Sequence, residues 1–165
     1  MSDLELKNAI KRAVLGSLSV MERAHPSDKI IGYALCTDDG LSTVFHAANT
    51  PQALARASNP SETQFVPVDW PYDEGAELFD DANQILVDGL KQATMPESFE
   101  QHVDSSFAQI VAALRELREE GIFGPDVFLW VTSTDPGDRL RTLARDAARV
   151  LNSPRQFAEW RSIMD

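Results

Sequence analysis

Few residues in this chain have the types and spacing that covalent or metal chemistry demands. The three histidines, His25, His46 and His102, each lack a second ligand-type residue at metal-binding spacing, so no metal and no cofactor is expected. Cys36 is the single cysteine, which excludes an intramolecular disulfide. With no helix start or basic neighbour in sequence to draw off its proton, it reads as a small buried hydrophobe and not as a nucleophile. The chain holds no Gly-x-Ser-x-Gly elbow, phosphate loop or His-Glu-x-x-His helix. Asp38-Asp39-Gly40 lacks the alternating oxygen ligands of a calcium loop and reads as a turn. Arg141, Arg145 and Arg149 form one helical stripe that could face an anion, but Asp138 and Asp146 lie within helical reach, and a salt-bridged solvated face accounts for them.

Charge is distributed unevenly. The 165 residues carry 15 basic and 26 acidic side chains, net −11. Between Arg56 and Lys91 there is no lysine or arginine, while Glu62, Asp69, Asp73, Glu74, Glu77, Asp80, Asp81 and Asp88 fall in that interval. Such a block repels nucleic acid and anionic lipid and favours a cationic partner; equally, it keeps a surface solvated. Inside it, Asp69-Trp70-Pro71-Tyr72-Asp73-Glu74-Gly75 sets two large aromatics among carboxylates. Two arrangements fit. Trp70 and Tyr72 are exposed anchors of an interface, or they plug the edge of the core and leave only the carboxylates outside. The candidate partner-binding set is therefore Asp69, Trp70, Tyr72, Asp73, Glu74, Glu77, Asp80 and Asp81. The competing site is a pocket built on Tyr33, His46 or the carboxylates around Tyr72.

The elements that must position these residues follow from periodicity. Ser2 and Glu5 have capping-box spacing, and Leu6, Ile10, Ala13, Val14, Ser17 and Met21 form one apolar stripe that ends at His25-Pro26. Residues 30–37 and 41–48 read as a hairpin; with an Asp39-Gly40 loop, Leu35 faces Val44 and Tyr33 faces His46. Thr50-Pro51 opens a short helix, residues 65–68 are a weak strand, and helices are expected over residues 75–93 and from Pro96 to a stop at Gly121. Val127 to Val131, apolar throughout, reads as a central strand covered on both faces, followed by helices over residues 138–151 and 155–164. The expected fold class is α+β, a small, mainly antiparallel sheet of three to four strands with helices packed against it, in a single domain over residues 1–165. That apolar run is far short of the roughly 20 residues that cross a bilayer. The start is polar and charged, so neither a membrane span nor an export signal is expected. The lone cysteine suits a reducing cytoplasm.

Leu35-Cys36-Thr37-Asp38-Asp39-Gly40, Ala48-Asn49-Thr50 with Ala53-Leu54, Trp70-Pro71-Tyr72 with Glu77-Leu78-Phe79, Gly121-Ile122-Phe123-Gly124 and Ser133-Thr134-Asp135 recur in an order and spacing that resembles the bacterial family called domain of unknown function 4303. The resemblance covers most of the chain, except residues 58–64 and the last helix. It implies a small cytoplasmic bacterial α+β protein, and it implies no established enzyme activity or cofactor. Such proteins are similar in size and setting to the immunity proteins that accompany delivered toxins. The expectation is an immunity-type binding protein, not an enzyme, that neutralises a basic cognate toxin through an acidic, aromatic-containing surface. The alternative is a small enzyme or ligand-binding protein with a pocket near Tyr33 and His46.

Overall fold

The computed structural model describes residues 3–164. The stripe of the first segment becomes helix α1 (Asp3–Ala24), which buries Leu6, Ile10, Val14 and Met21. The capping residue Ser2 lies outside the described residues. Strands β1 (Gly32–Thr37) and β2 (Val44–Asn49) pair antiparallel, and β3 (Phe128–Ser133) joins the other side of β1 in parallel. Between β2 and β3 lie α2 (Pro51–Arg56), α3 (Pro60–Thr63), 3-10 turns at Pro67–Asp69 and Ala76–Phe79, α4 (Asp80–Gln92) and α5 (Pro96–Glu119). Helices α6 (Asp138–Leu151) and α7 (Pro154–Met164) follow β3. The α+β class holds, with seven helices around a three-stranded sheet among the described residues.

Two local expectations hold in detail. Thr50 caps α2 by accepting from the Ala53 amide, with Pro51 in the first turn. After α5, Gly121 takes a φ of 78°, a conformation that costs glycine little and ends the helix.

Two others are corrected. The hairpin register is displaced by two residues, so that Thr37 pairs with Val44, Leu35 with His46 and Tyr33 with Ala48. The reason is a wider loop over residues 38–43. Asp38 Oδ1 accepts from the Ser42 and Thr43 amides, at 2.8 Å each, and Leu41, not Gly40, takes the left-handed conformation, with φ 51°. Leu41 is fully buried, and its carbonyl accepts from His102 Nε2. Because the displacement is even, every side chain keeps its face.

The apolar run at β3 is not central: the strand order is β2-β1-β3, so β3 is an edge. Its burial comes from covered faces and from Asn152, which follows α6. The Asn152 side chain accepts from the Leu129 amide at 2.8 Å and donates to the Leu129 carbonyl at 2.7 Å.

One face of the sheet, with Tyr33, Leu35, His46, Leu129 and Val131, packs against α1 through the Tyr33–Ser17 contact and against Phe79. The other face takes Trp70 against Gly32, Phe65 against Phe128, and α6, where Trp130 Nε1 donates to the Ala144 carbonyl. No helix among the described residues is long and apolar enough to cross a membrane.

Candidate functional site

The acidic segment is pinned from beneath by its own aromatic residues. Trp70 is 5% exposed, its Nε1–H donates to the Thr63 carbonyl at 2.9 Å, and a Cβ on Gly32 would come within 2.9 Å of its ring. The glycine in β1 is thus what lets the indole lie on the sheet. Tyr72 is 8% exposed; its carbonyl accepts from the Ala48 amide at the rim of β2, and its hydroxyl donates to Asp28 Oδ2 at 2.5 Å. That bond to Asp28 raises the Tyr72 pKa. Of the two arrangements left open by composition, both rings therefore take the core one, and neither offers an exposed anchor.

Glu74 ties the segment down twice. Its carbonyl accepts from His46 Nε2 at 2.8 Å, and its Oε1 contacts His25 Nε2 at 2.5 Å. Burial pushes the Glu74 pKa up, but the hydrogen bond from His25, with a backbone amide, outweighs it and holds the carboxyl below its ordinary value. Glu74 Oε2 is buried with no partner among the described residues. Gly75 then turns the chain at φ 85° into the 3-10 turn that ends at fully buried Phe79. Asp69, Asp73, Glu77, Asp80 and Asp81 are exposed. Asp80 and Asp81 stand in the first turn of α4, where its amide end favours negative charge.

His46 does lie beside Tyr33, as a diagonal neighbour across the hairpin. Their rings stack at 5.5 Å, and Phe79 and Phe123 extend the column on either side. Ser17 donates to the Val14 carbonyl, so the Tyr33 hydroxyl donates to Ser17 at 2.7 Å. Because His46 Nε2 donates to Glu74, Nδ1 carries the lone pair, and it is buried without a partner among the described residues. Protonation would place an unpaired N–H in the core. Burial accordingly lowers the His46 pKa, against the opposing pull of the Glu74 carbonyl and the nearby carboxylates. Burial likewise raises the Tyr33 pKa and pushes the Cys36 thiol up to about 12. With Tyr33 at 0% and His46 at 1% exposure, this pair is enclosed by the core.

Solvent instead reaches a neighbouring cleft of about 720 Å³, between the end of α1, residues 25–30, Tyr72 and residues 122–127. His25 and Asp28 line it with Tyr72, the His25 ring edge-on to Tyr72 at 4.6 Å. Here the His25–Glu74 and Tyr72–Asp28 pairs place an imidazole, two carboxylates and a phenol together, the groups that proton transfer uses. The sequence pointed to the carboxylates around Tyr72, Glu74 among them, but gave no sign of His25 or Asp28, which lie 49 and 44 residues from their partners. Among the described residues, no group of three or more His, Cys, Asp or Glu is placed to hold a metal ion.

A family model described as a domain of unknown function (DUF4303) matches residues 6–153. The chain belongs to that family. The DUF4303 match runs from the first turns of α1 to just past α6, taking in the sheet, the acidic segment and the cleft, and stops before α7. No curated protein and no solved structure matches the chain.

Proposed function

We propose that this protein is an immunity-type binding protein of the cytoplasm, which neutralises a basic cognate toxin by direct binding. The supporting observation is the exposure of Asp69, Asp73, Glu77, Asp80 and Asp81 in a stretch without lysine or arginine. Trp70, Tyr72 and Glu74 serve this surface from behind, anchoring the segment so that little ordering is left to occur on binding. A pre-ordered acidic face speeds encounter with a cationic partner and competes with an anionic substrate for the same site. The enclosed Tyr33–His46 pair weakens the enzyme alternative at that position; the His25–Asp28–Tyr72 cleft gives a second reading, as a small-ligand or proton-transfer site.

The test co-expresses the product of the adjacent upstream gene and scores growth. Wild-type protein should rescue, and Asp73→Lys/Asp80→Lys should not. Its association should slow by about tenfold and lose its salt dependence. Asp138→Lys/Asp146→Lys, on exposed α6 positions, is the control. If the folded Asp73/Asp80 variant protects as well as wild type, the acidic segment is not the interface. If His25→Ala alone abolishes protection without loss of stability, the cleft reading replaces it.

A further inference from the structure

Asn49, Gly32 and Phe128 form one row across the sheet, from β2 through β1 to β3, and share one face. Gly32 contributes no side chain between the other two, and a cavity of about 130 Å³ opens beside them, walled by Phe65 edge-on to Phe128. Gln64, Asp126 and Glu159 reach its wall from three other segments.

Asn49 is 2% exposed, yet its carboxamide is only half used. Its Oδ1 accepts from the Thr50 amide at 3.0 Å, which fixes the orientation of the group, because the reverse would set one N–H against another. Nδ2 is left buried with no acceptor among the described residues. A buried donor without an acceptor is costly, so this wall of the cavity favours an oxygen that can accept.

The charge around the cavity is one-sided as well. Asp126 and Glu159 are exposed at its wall, and no basic side chain lines it. Glu159 Oε1 accepts from Gln64 Nε2 at 3.2 Å, and neither carboxylate meets a cation among the described residues.

We propose that this cavity binds a small cationic amine that also carries a neutral oxygen acceptor, an amino amide or an amino alcohol. Its oxygen accepts from Asn49 Nδ2, its carbons lie against Phe65 and Phe128, and its ammonium faces Asp126 and Glu159. The volume sets the size of the ligand, being well under the roughly 300–1,000 Å³ of a drug-sized site. A carboxylate in place of the neutral oxygen would face two like charges, and a plain alkylamine would leave Nδ2 unpaired. None of these residues belongs to the acidic segment, so the proposal is independent of the toxin-binding surface.

NMR titration of the isotope-labelled full chain tests it, at about pH 6, where these amines are charged. The Asn49 side-chain amide and the Gly32 backbone amide are the reporters. Glycinamide and ethanolamine should saturate both signals with Kd of about 1–10 mM, within reach of ligands of so few atoms. Ethylammonium, which lacks the oxygen, and acetamide, which lacks the charge, should each bind about tenfold more weakly than glycinamide. Asp126→Asn/Glu159→Gln, at two exposed positions, should remove the advantage of glycinamide over acetamide. Asn49→Asp keeps an acceptor for Thr50 and should remove the advantage of glycinamide over ethylammonium; if it misfolds, the ligand series and the exposed pair still decide. The proposal is overturned if neither glycinamide nor ethanolamine saturates below about 50 mM, which would leave the cavity to water. It is equally overturned if ethylammonium or acetamide binds as well as glycinamide, or if the folded Asp126/Glu159 variant binds glycinamide as wild type does.

Discussion

Replacing Trp70 by alanine separates a structural aromatic from an interface anchor. The side chain is 5% exposed, donates to Thr63 at 2.9 Å, and sits so close to Gly32 that an added Cβ would meet the ring at 2.9 Å. Truncating a buried tryptophan costs about 3–5 kcal/mol through lost contacts and the cavity left behind. Leaving the Thr63 carbonyl without its donor adds about 1 kcal/mol. A loss on the order of 5 kcal/mol would remove a third or more of a typical total of roughly 5–15 kcal/mol. At this chain length it would lower Tm by roughly 10–20 °C. Trp70→Phe, which keeps a ring but not the N–H, should cost about 2 kcal/mol. Urea unfolding followed by circular dichroism reads both, and the m-value should stay constant. Approached from the other side, Gly32→Ala should destabilise by about 1–3 kcal/mol, because a rigid indole cannot yield to the new methyl. If Trp70→Ala unfolds within about 1 kcal/mol of wild type at an unchanged m-value, the ring is not a core element and the surface-anchor role returns.

Leu129→Asp should abolish soluble expression, since the position has 0% exposure and an unpaired buried carboxylate costs several kcal/mol; a soluble variant with native Tm would contradict the packing of β3. Tyr33→Phe should cost about 1 kcal/mol by removing the bond to Ser17, measurable as a shift in urea midpoint without a change in m. Stability should fall with acid. His46 and Glu74 both have folded pKa values below their ordinary ones, so the unfolded chain binds protons first. The loss should begin as pH drops below the ordinary histidine value of 6.5 and deepen through that of glutamate, 4.5, and His46→Gln should flatten the upper part of the profile. Cys36, buried and with its thiol pushed up to about 12, should react with a disulfide reagent only on unfolding, at a rate that rises with urea; rapid stoichiometric labelling in buffer would refute its burial.

What could be read in the chain was what local chemistry determines. Thr50-Pro51 and Gly121 act within one turn of themselves, and each does what its type dictates. The hairpin kept its faces although its register moved, because a two-residue shift preserves alternation; the shift itself came from Asp38 bonding to Ser42 and Thr43. The apolar run at β3 truthfully reported burial, but an edge closed by Asn152, 23 residues on from Leu129, looks from sequence like a centre. Likewise, aromatics among carboxylates are ambiguous until the partners are known: Trp70 is buried by Gly32 and Thr63, and Tyr72 by residues near Asp28 and Ala48. The His25–Glu74 contact arises only when separate elements meet.

The carboxamide of Asn152 has one more consequence. A sheet of three strands has two open margins, and each is an invitation for another chain to add a strand. At Leu129 the amide and carbonyl that such a strand would seek are already engaged by Asn152. Along β2, Asn83 takes the Val44 amide and Tyr72 takes that of Ala48. Both margins are therefore closed to strand addition at these positions. Stacking of one sheet on another edge to edge is disfavoured where these groups are taken. Asn152→Ala would reopen one margin, and the fault should appear as concentration-dependent β-rich aggregation before any change in how the acidic face behaves.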